Sequence, residues 1–148
     1  MTDDMTLHIE RTFHAPAKAV FDAWTNEEVI RRWWQAEQGW ETAAAEVDLR
    51  VGGAVRVVMR DPVEDADVGG GGHYTVVEPP TRLAFTWNWD DDDDSRRTLI
   101  ELAFEERDGI TTVRFTHSGL WDEEAVRGHE RGWTNLFDNL ERALEADV

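Results

Sequence analysis

Between Trp40 and His117 the chain keeps switching between short apolar-alternating segments and turn signals, and the turns are too short for anything but antiparallel pairing. Gly52-Gly53, Pro79-Pro80, the Asp90–Asp94 run and Asp108-Gly109 punctuate this stretch. A parallel pair of strands needs a crossover of about a dozen residues or more, so these connections dictate an antiparallel meander. Its six strands are predicted at about residues 40–49, 54–60, 72–78, 82–90, 97–106 and 110–117. Asp108-Gly109 carries the residues of a type I′ hairpin, and Pro79-Pro80 makes a tight corner. Residues 61–72, DPVEDADVGGGG, read as a mobile, polar, glycine-rich loop.

The flanks complete the pattern. Leu7, Ile9 and Phe13 alternate with polar neighbours, which predicts one more half-buried strand. Pro16 then suits the first turn of a helix bearing Val20, Phe21 and Trp24 on one face. Thr25 or Asn26 can cap a second short helix, with Glu27 and Glu28 in its first turn and Val29, Ile30, Trp33 and Trp34 on its apolar side. At the other end Val126, His129, Trp133, Leu136, Phe137, Leu140 and Leu144 recur at steps of three and four, one long amphipathic helix. Gly128 and Gly132 interrupt it, each at a cost of about 1 kcal/mol against alanine; on a helix that also bears Trp133 they could let something pack closely there, and contact with the two short helices is the simpler reason for them. The expected architecture is α+β: a curved antiparallel seven-stranded sheet around a long C-terminal helix, with two short helices after strand 1. One helix cannot fill such a sheet along its whole length, so a cavity lined by apolar and aromatic groups is expected between them.

Five segments carry a resemblance. RTFHAPAKAVFDAWTNEEVIRRWW, EVDLRVGGAVRVVMRD, YTVVEPPTRLAFTWNW, TVRFTHSG and GWTNLFDNLERAL are similar, in order and spacing, to the heat-shock protein 90 ATPase activator homologue family. That family belongs to the START-like (SRPBCC, Bet v 1-like) superfamily, and the resemblance implies a helix-grip fold with a cavity for a hydrophobic ligand. It spans about Leu7 to Leu144, which makes the chain a single START-like domain over residues 1–148. Most small prokaryotic members have no known ligand. The chaperone-activating role is attached to larger eukaryotic proteins with an extra N-terminal domain, which this chain is not expected to carry.

Composition narrows the partners. The formal charge is −17, from 32 Asp and Glu against 15 Lys and Arg, which repels nucleic-acid phosphates and anionic membrane surfaces. There is no cysteine for disulfides or thiolate metal sites, and the N-terminal MTDDMTLHIER has no signal-peptide core, so a cytoplasmic location is expected. Five adjacent aspartates lack the turn-spread spacing of a hard-cation site, and Arg96 and Arg97 stand ready to neutralise them, so the run reads as a solvated hairpin tip. No histidine pattern, G-x-S-x-G elbow, Walker loop or dinucleotide fingerprint occurs, and neither metal nor cofactor is expected.

The candidate cavity residues are Trp34, Trp40, Met59, Tyr74, Phe85, Trp87, Trp89, Phe115, His117, Trp133 and Phe137. For Trp24 and Trp133 ordinary core packing is an equal alternative. Buried indole N–H groups need partners, which water or a polar ligand atom in a partly open cavity would supply. Arg50 and Arg56 are candidate polar anchors, although a surface Asp48–Arg50 pair on one side of a strand is the plainer reading. Three functions remain open: binding of an unidentified hydrophobic small molecule, a chaperone-cofactor-like interaction with a protein partner, or a cyclase or dehydratase reaction with His117 or a carboxylate as acid or base. The chain is compatible with a monomer or a dimer.

Only Lys18 among the basic residues is lysine, and the acids are dispersed along the chain. That pattern suits adaptation to high salt, with high-GC coding bias as the alternative. Self-repulsion weakens the compact state, and it is screened as the Debye length falls from ~10 Å at 0.1 M salt to ~3 Å at 1 M. Urea midpoints are therefore expected to rise steeply with potassium chloride up to about 1 M. A midpoint flat from low salt upward would show that the charges are already locally paired.

Overall fold

The computed structural model describes residues 5–146, so the start of the acidic N-terminal stretch read above for signals (residues 1–4) lies outside the described residues. The elements follow in the expected order. Strand β1 (Leu7–Phe13) leads into helices α1 (Ala17–Thr25) and α2 (Glu27–Trp33). Then come β2 (Glu41–Val47), β3 (Ala54–Asp61), β4 (Ala66–Glu78), β5 (Arg82–Trp89), β6 (Thr98–Arg107) and β7 (Ile110–Ser118), and finally α3 (Glu123–Ala146). Every neighbouring pair is antiparallel, in the order β1-β7-β6-β5-β4-β3-β2. The chain thus makes a meander whose last strand returns beside the first.

Local chemistry accounts for the boundaries. Asn26 caps α2, its side chain accepting from the backbone N–H groups of Glu28 and Val29, while Thr25 bonds back to the Phe21 carbonyl. Asp122 caps α3 through the N–H of Ala125 at 2.7 Å. Asp108 (φ 55°) and Gly109 (φ 81°) both take positive φ in the β6–β7 hairpin, as a type I′ turn requires.

The inward faces of β1, β5, β6 and β7 meet the apolar stripe of α3 and the two short helices. Phe13, Leu83, Phe85, Ile100, Leu102, Val113, Phe115, Leu136, Phe137 and Leu140 form the bulk of this core. Trp24 sits at its centre, within 4.7–6.2 Å, ring centroid to ring centroid, of Trp33, Trp34, Phe115, Trp133 and Phe137. Arg11 lies on the inward-facing parity of β1, yet it reaches α3. It bonds Asp138 at 3.0 Å and Glu141 at 3.3 Å and covers the Phe137 ring at 5.8 Å.

Two turn regions differ from the expectation. The glycine run is no loop: Gly69–Gly72 lie inside the 13-residue β4, paired with β3 along their whole length. Packing explains the glycines. A Cβ on Gly70 would stand 2.7 Å from the Trp87 ring, and one on Gly72 would stand 2.0 Å from the Thr86 carbonyl oxygen. Small size across four positions lets β4 approach β5 and lets the Trp87 indole lie over it. The aspartate run forms a tip, but an organised one. Asp93 caps a one-turn 3-10 helix (Asp94–Arg96), and Asp90 makes a two-pronged pair with Arg56 at 2.7 Å, which lowers the carboxyl pKa below its ordinary value. Arg96 and Arg97 pair with Asp92 and Asp94, as the spacing suggested. Asp48 and Arg50 also pair, at 3.0 Å, but in the exposed turn beyond β2 and not on a strand.

Two glycine substitutions test this packing in opposite directions. Gly72→Ala forces a Cβ against backbone that cannot move aside, so urea denaturation is expected to show a loss of about 2–3 kcal/mol. Gly128→Ala, with nothing within 4 Å of the new Cβ, is expected to gain about 1 kcal/mol from helix propensity.

Candidate functional site

The expected space between sheet and helix is present. A cavity of about 280 Å³ is walled by Trp34, Ala36, Met59, Trp87, Trp89, His117, Trp133 and Leu136, and Glu37, Ala125, Gly128, His129 and Gly132 complete its lining. Ligand pockets commonly measure ~300–1,000 Å³, so this one suits a compact molecule. The helical glycines do not serve the expected contact with α1 and α2; they border this cavity instead. Gly128 meets nothing within 4 Å and Gly132 meets only the Ala36 Cβ at 3.9 Å, so α3 is bare where it borders the cavity. Any larger side chain at these positions would project into that space.

The α2–β2 connection holds Trp34 in place. Asn135 on α3 donates to the Ala36 carbonyl, and Asn139 donates to the carbonyls of Trp33 and Gln35. Thr42 donates to the Trp34 carbonyl, and the Ala36 N–H points at the Met59 sulfur at 3.3 Å. These bonds satisfy the backbone after α2 and pin it to α3, β2 and β3 together. A separate polar cleft lined by Gln35, Gln38, Asn135, Asn139 and Arg142 is the outer side of the same latch.

Two histidines organise the wall. Trp133 Nε1–H donates to His117 Nδ1 at 3.1 Å, so Nδ1 is the acceptor and the ring proton resides on Nε2. His117 Nε2–H then donates to Thr98 Oγ1 at 2.8 Å, and Thr98 passes its own hydrogen to the Trp87 carbonyl at 2.9 Å. Near the mouth, Trp89 Nε1–H donates to His129 Nε2 at 3.0 Å, and His129 Nδ1–H donates to the Ala125 carbonyl at 2.7 Å. Each imidazole accepts one bond and donates one, which only the neutral ring can do. Burial acts the same way: it pushes the His117 pKa down to about 3 and lowers that of His129 against the pull of the Ala125 carbonyl and Asp92.

The indole partners expected from water or a ligand are therefore supplied from within for Trp89 and Trp133, and the Ala23 carbonyl serves Trp33 at 2.9 Å. Among the described residues, Trp24 Nε1 and Tyr74 Oη are buried without a partner, and burial raises the Tyr74 pKa. Of the residues expected around the cavity, Trp34, Met59, Trp87, Trp89, His117 and Trp133 are brought together on its wall. Phe115 and Phe137 stand behind Trp133, at 4.6 and 6.4 Å between ring centroids. Tyr74 and Phe85 pair edge-to-face further along the sheet, and half-buried Trp40 packs on the core away from this wall. Arg50 and Arg56 point to the surface, where they hold Asp48 and Asp90 and cannot anchor anything in the cavity. His129, Glu37 and the bare glycines were not among the expected cavity residues. The one sign of them in the sequence is the Gly128-His129…Gly132-Trp133 spacing on a single helix face.

The neutral histidines tie stability to pH. Below pH ~6.5 an unfolded histidine takes up a proton that folded His117 refuses until about pH 3, so the stability it supports is complete above 6.5 and declines as pH falls. The slope for His117 is at most about 1.4 kcal/mol per pH unit. Urea midpoints at constant ionic strength are expected to fall between pH 6.5 and 5, and His117→Gln, which can accept from Trp133 and donate to Thr98, should flatten that slope. An unchanged slope in the variant would show that His117 is not the titrating group.

The comparisons with known proteins agree with this architecture. No curated protein matches the sequence. Among solved structures, the AHSA1 protein of Silicibacter pomeroyi is similar at 28% identity, with 97% of this chain and 99% of that one covered and a TM-score of 0.84. An AHSA1-like protein of Aeromonas hydrophila is similar at 30% identity, with 95% and 94% covered and a TM-score of 0.77. An HSP90 activator of Plasmodium falciparum shares the fold at 21% identity, with 95% and 96% covered and a TM-score of 0.77. The family model described as activator of Hsp90 ATPase homolog 1-like protein matches residues 14–145, nearly the whole helix-grip unit, and the chain belongs to that family.

Proposed function

We propose that this protein binds a compact apolar or aromatic small molecule in the cavity between the sheet and α3. The observation that carries this reading is the wall itself: four indoles and a thioether surround a space that α3 leaves open at two glycines, and the polar groups of His117 and His129 are turned into the protein's own hydrogen bonds. A protein that needed only a core would gain about 1 kcal/mol by replacing either helical glycine with alanine. Keeping glycine at both positions preserves room.

Family membership points to a ligand-binding or chaperone-cofactor-like role. The second reading, an interaction protein working through its surface, is supported by the likeness to the Plasmodium falciparum HSP90 activator. The two readings are compatible. Acid–base chemistry at His117 draws no support from its geometry, because both ring nitrogens are committed. No described helix is long and apolar enough to cross a membrane.

Titration with an environment-sensitive naphthalene dye tests the leading reading. Saturable binding with a change in tryptophan emission is expected, and Trp87→Ala or Trp133→Ala should weaken it at least about tenfold, the loss of one well-packed aromatic contact. Absence of saturable binding, or binding unchanged in both variants, would remove the cavity from consideration.

A further inference from the structure

We infer that the occupant of this cavity is a small organic cation with a methylated ammonium head. The inference rests on the proposed ligand site and adds a charge to its ligand.

The first observation is the arrangement of the rings. Trp34 and Trp87 are near-parallel, 27° apart with centroids at 5.6 Å. Trp133 stands at 71° to Trp34, and Trp89 at 85° to Trp87. Indole planes in two nearly perpendicular directions wall one small space. An aromatic ring is negative on its face and positive at its edge, and indole is the best of the side chains for holding a cation over its face. For Trp89 and Trp133 the most positive point of that edge, the N–H, is turned into a histidine nitrogen.

The second observation is the charge inventory. No lysine or arginine lines the cavity, and Glu37 is its one acidic residue. His117 and His129 are the basic side chains present, and their hydrogen-bond pattern keeps both neutral. The whole chain carries −17, which enriches cations around it. Nothing in the wall opposes a positive ligand.

The third observation selects the kind of cation. A primary ammonium brings three N–H donors that need acceptors once water is removed. Apart from the exposed Glu37 carboxylate, which cannot answer all three, the acceptors here are already used. The Ala125 carbonyl takes the His129 proton, the Met59 sulfur faces the Ala36 N–H, and the accepting imidazole nitrogens hold indoles. A quaternary ammonium has no donor to satisfy, sheds its water at low cost, and offers methyl groups to ring faces. At about 280 Å³ the cavity accommodates such a head with a short substituent.

The test compares choline with 3,3-dimethylbutan-1-ol, its neutral carbon isostere, by calorimetry and tryptophan emission at pH 7.5 and fixed ionic strength. Choline is expected to bind at least about tenfold more tightly than the isostere, the scale of a desolvated cation–π contact. Glu37→Gln, an exposed position whose change leaves the fold intact, should weaken choline several-fold and leave the isostere unaffected. Trp89→Leu should cost choline more than it costs the isostere. If the isostere binds as well as choline, or if the naphthalene dye binds while choline does not, the cation is wrong and the apolar cavity stands. If neither these ligands nor the dye binds, both readings fall together.

Discussion

The hydrogen bond from Trp133 to His117, 3.1 Å long and out of reach of water, begins a relay on which the arrangement of the interior depends. An indole N–H buried without an acceptor costs about 1–3 kcal/mol, and a buried imidazole has two nitrogens to satisfy. Through Thr98 the relay ends on the Trp87 carbonyl, so one chain of bonds joins α3, β7, β6 and β5. Slide the helix along the sheet and Trp133 and His117 lose each other, as do Trp89 and His129. The apolar stripe of α3 tolerates many positions on a hydrophobic floor; this relay tolerates one.

Fixing that position is what leaves the cavity. Its far wall depends on Trp87, which lies over β4 where glycine replaces any side chain. Its near side depends on Gly128 and Gly132, where the helix withholds one. Its floor and edge depend on Trp34, held by Asn135 and Asn139 through the backbone that follows α2. Removal of side chains on two elements and satisfaction of polar atoms on three others produce one apolar space. A core under selection for stability alone would have closed it, because unfilled volume costs dispersion contacts all round its lining.

The outer surface follows a different logic. Its ion pairs are local and exposed, as in Arg60 with Asp65 and Asp67 or Arg114 with Glu10 and Glu105, and each such pair contributes little. Arg56 with Asp90 joins β3 to the end of β5, and Arg11 with Asp138 and Glu141 clasps α3 to β1. Arginine suits both because its planar fork holds a carboxylate in a fixed direction. With 32 acidic residues against 15 basic ones, surface ion pairs do not neutralise the charge, and the interior has to supply the cohesion.

The six-strand meander, the hairpin at Asp108-Gly109, the two short helices and the amphipathic C-terminal helix were legible in the residues, because short connections and periodicity are local constraints, whereas the pairing of β1 with β7 is not local. Trp34, Trp87 and Trp133, named from the sequence as candidates, all line the cavity. The glycine run was not legible as strand: its reason is a Trp87 ring and a Thr86 carbonyl brought beside it by another strand, and composition alone looks like a loop. Nor could the partners of the indoles be foreseen. His117 and His129 are twelve residues apart and Trp89 lies forty residues from His129, so nothing in the spacing announces that they meet. Local sequence decides which elements form, through backbone entropy and turn chemistry. Only the packed structure decides which buried polar atom answers which, since that pairing exists only once water has been excluded.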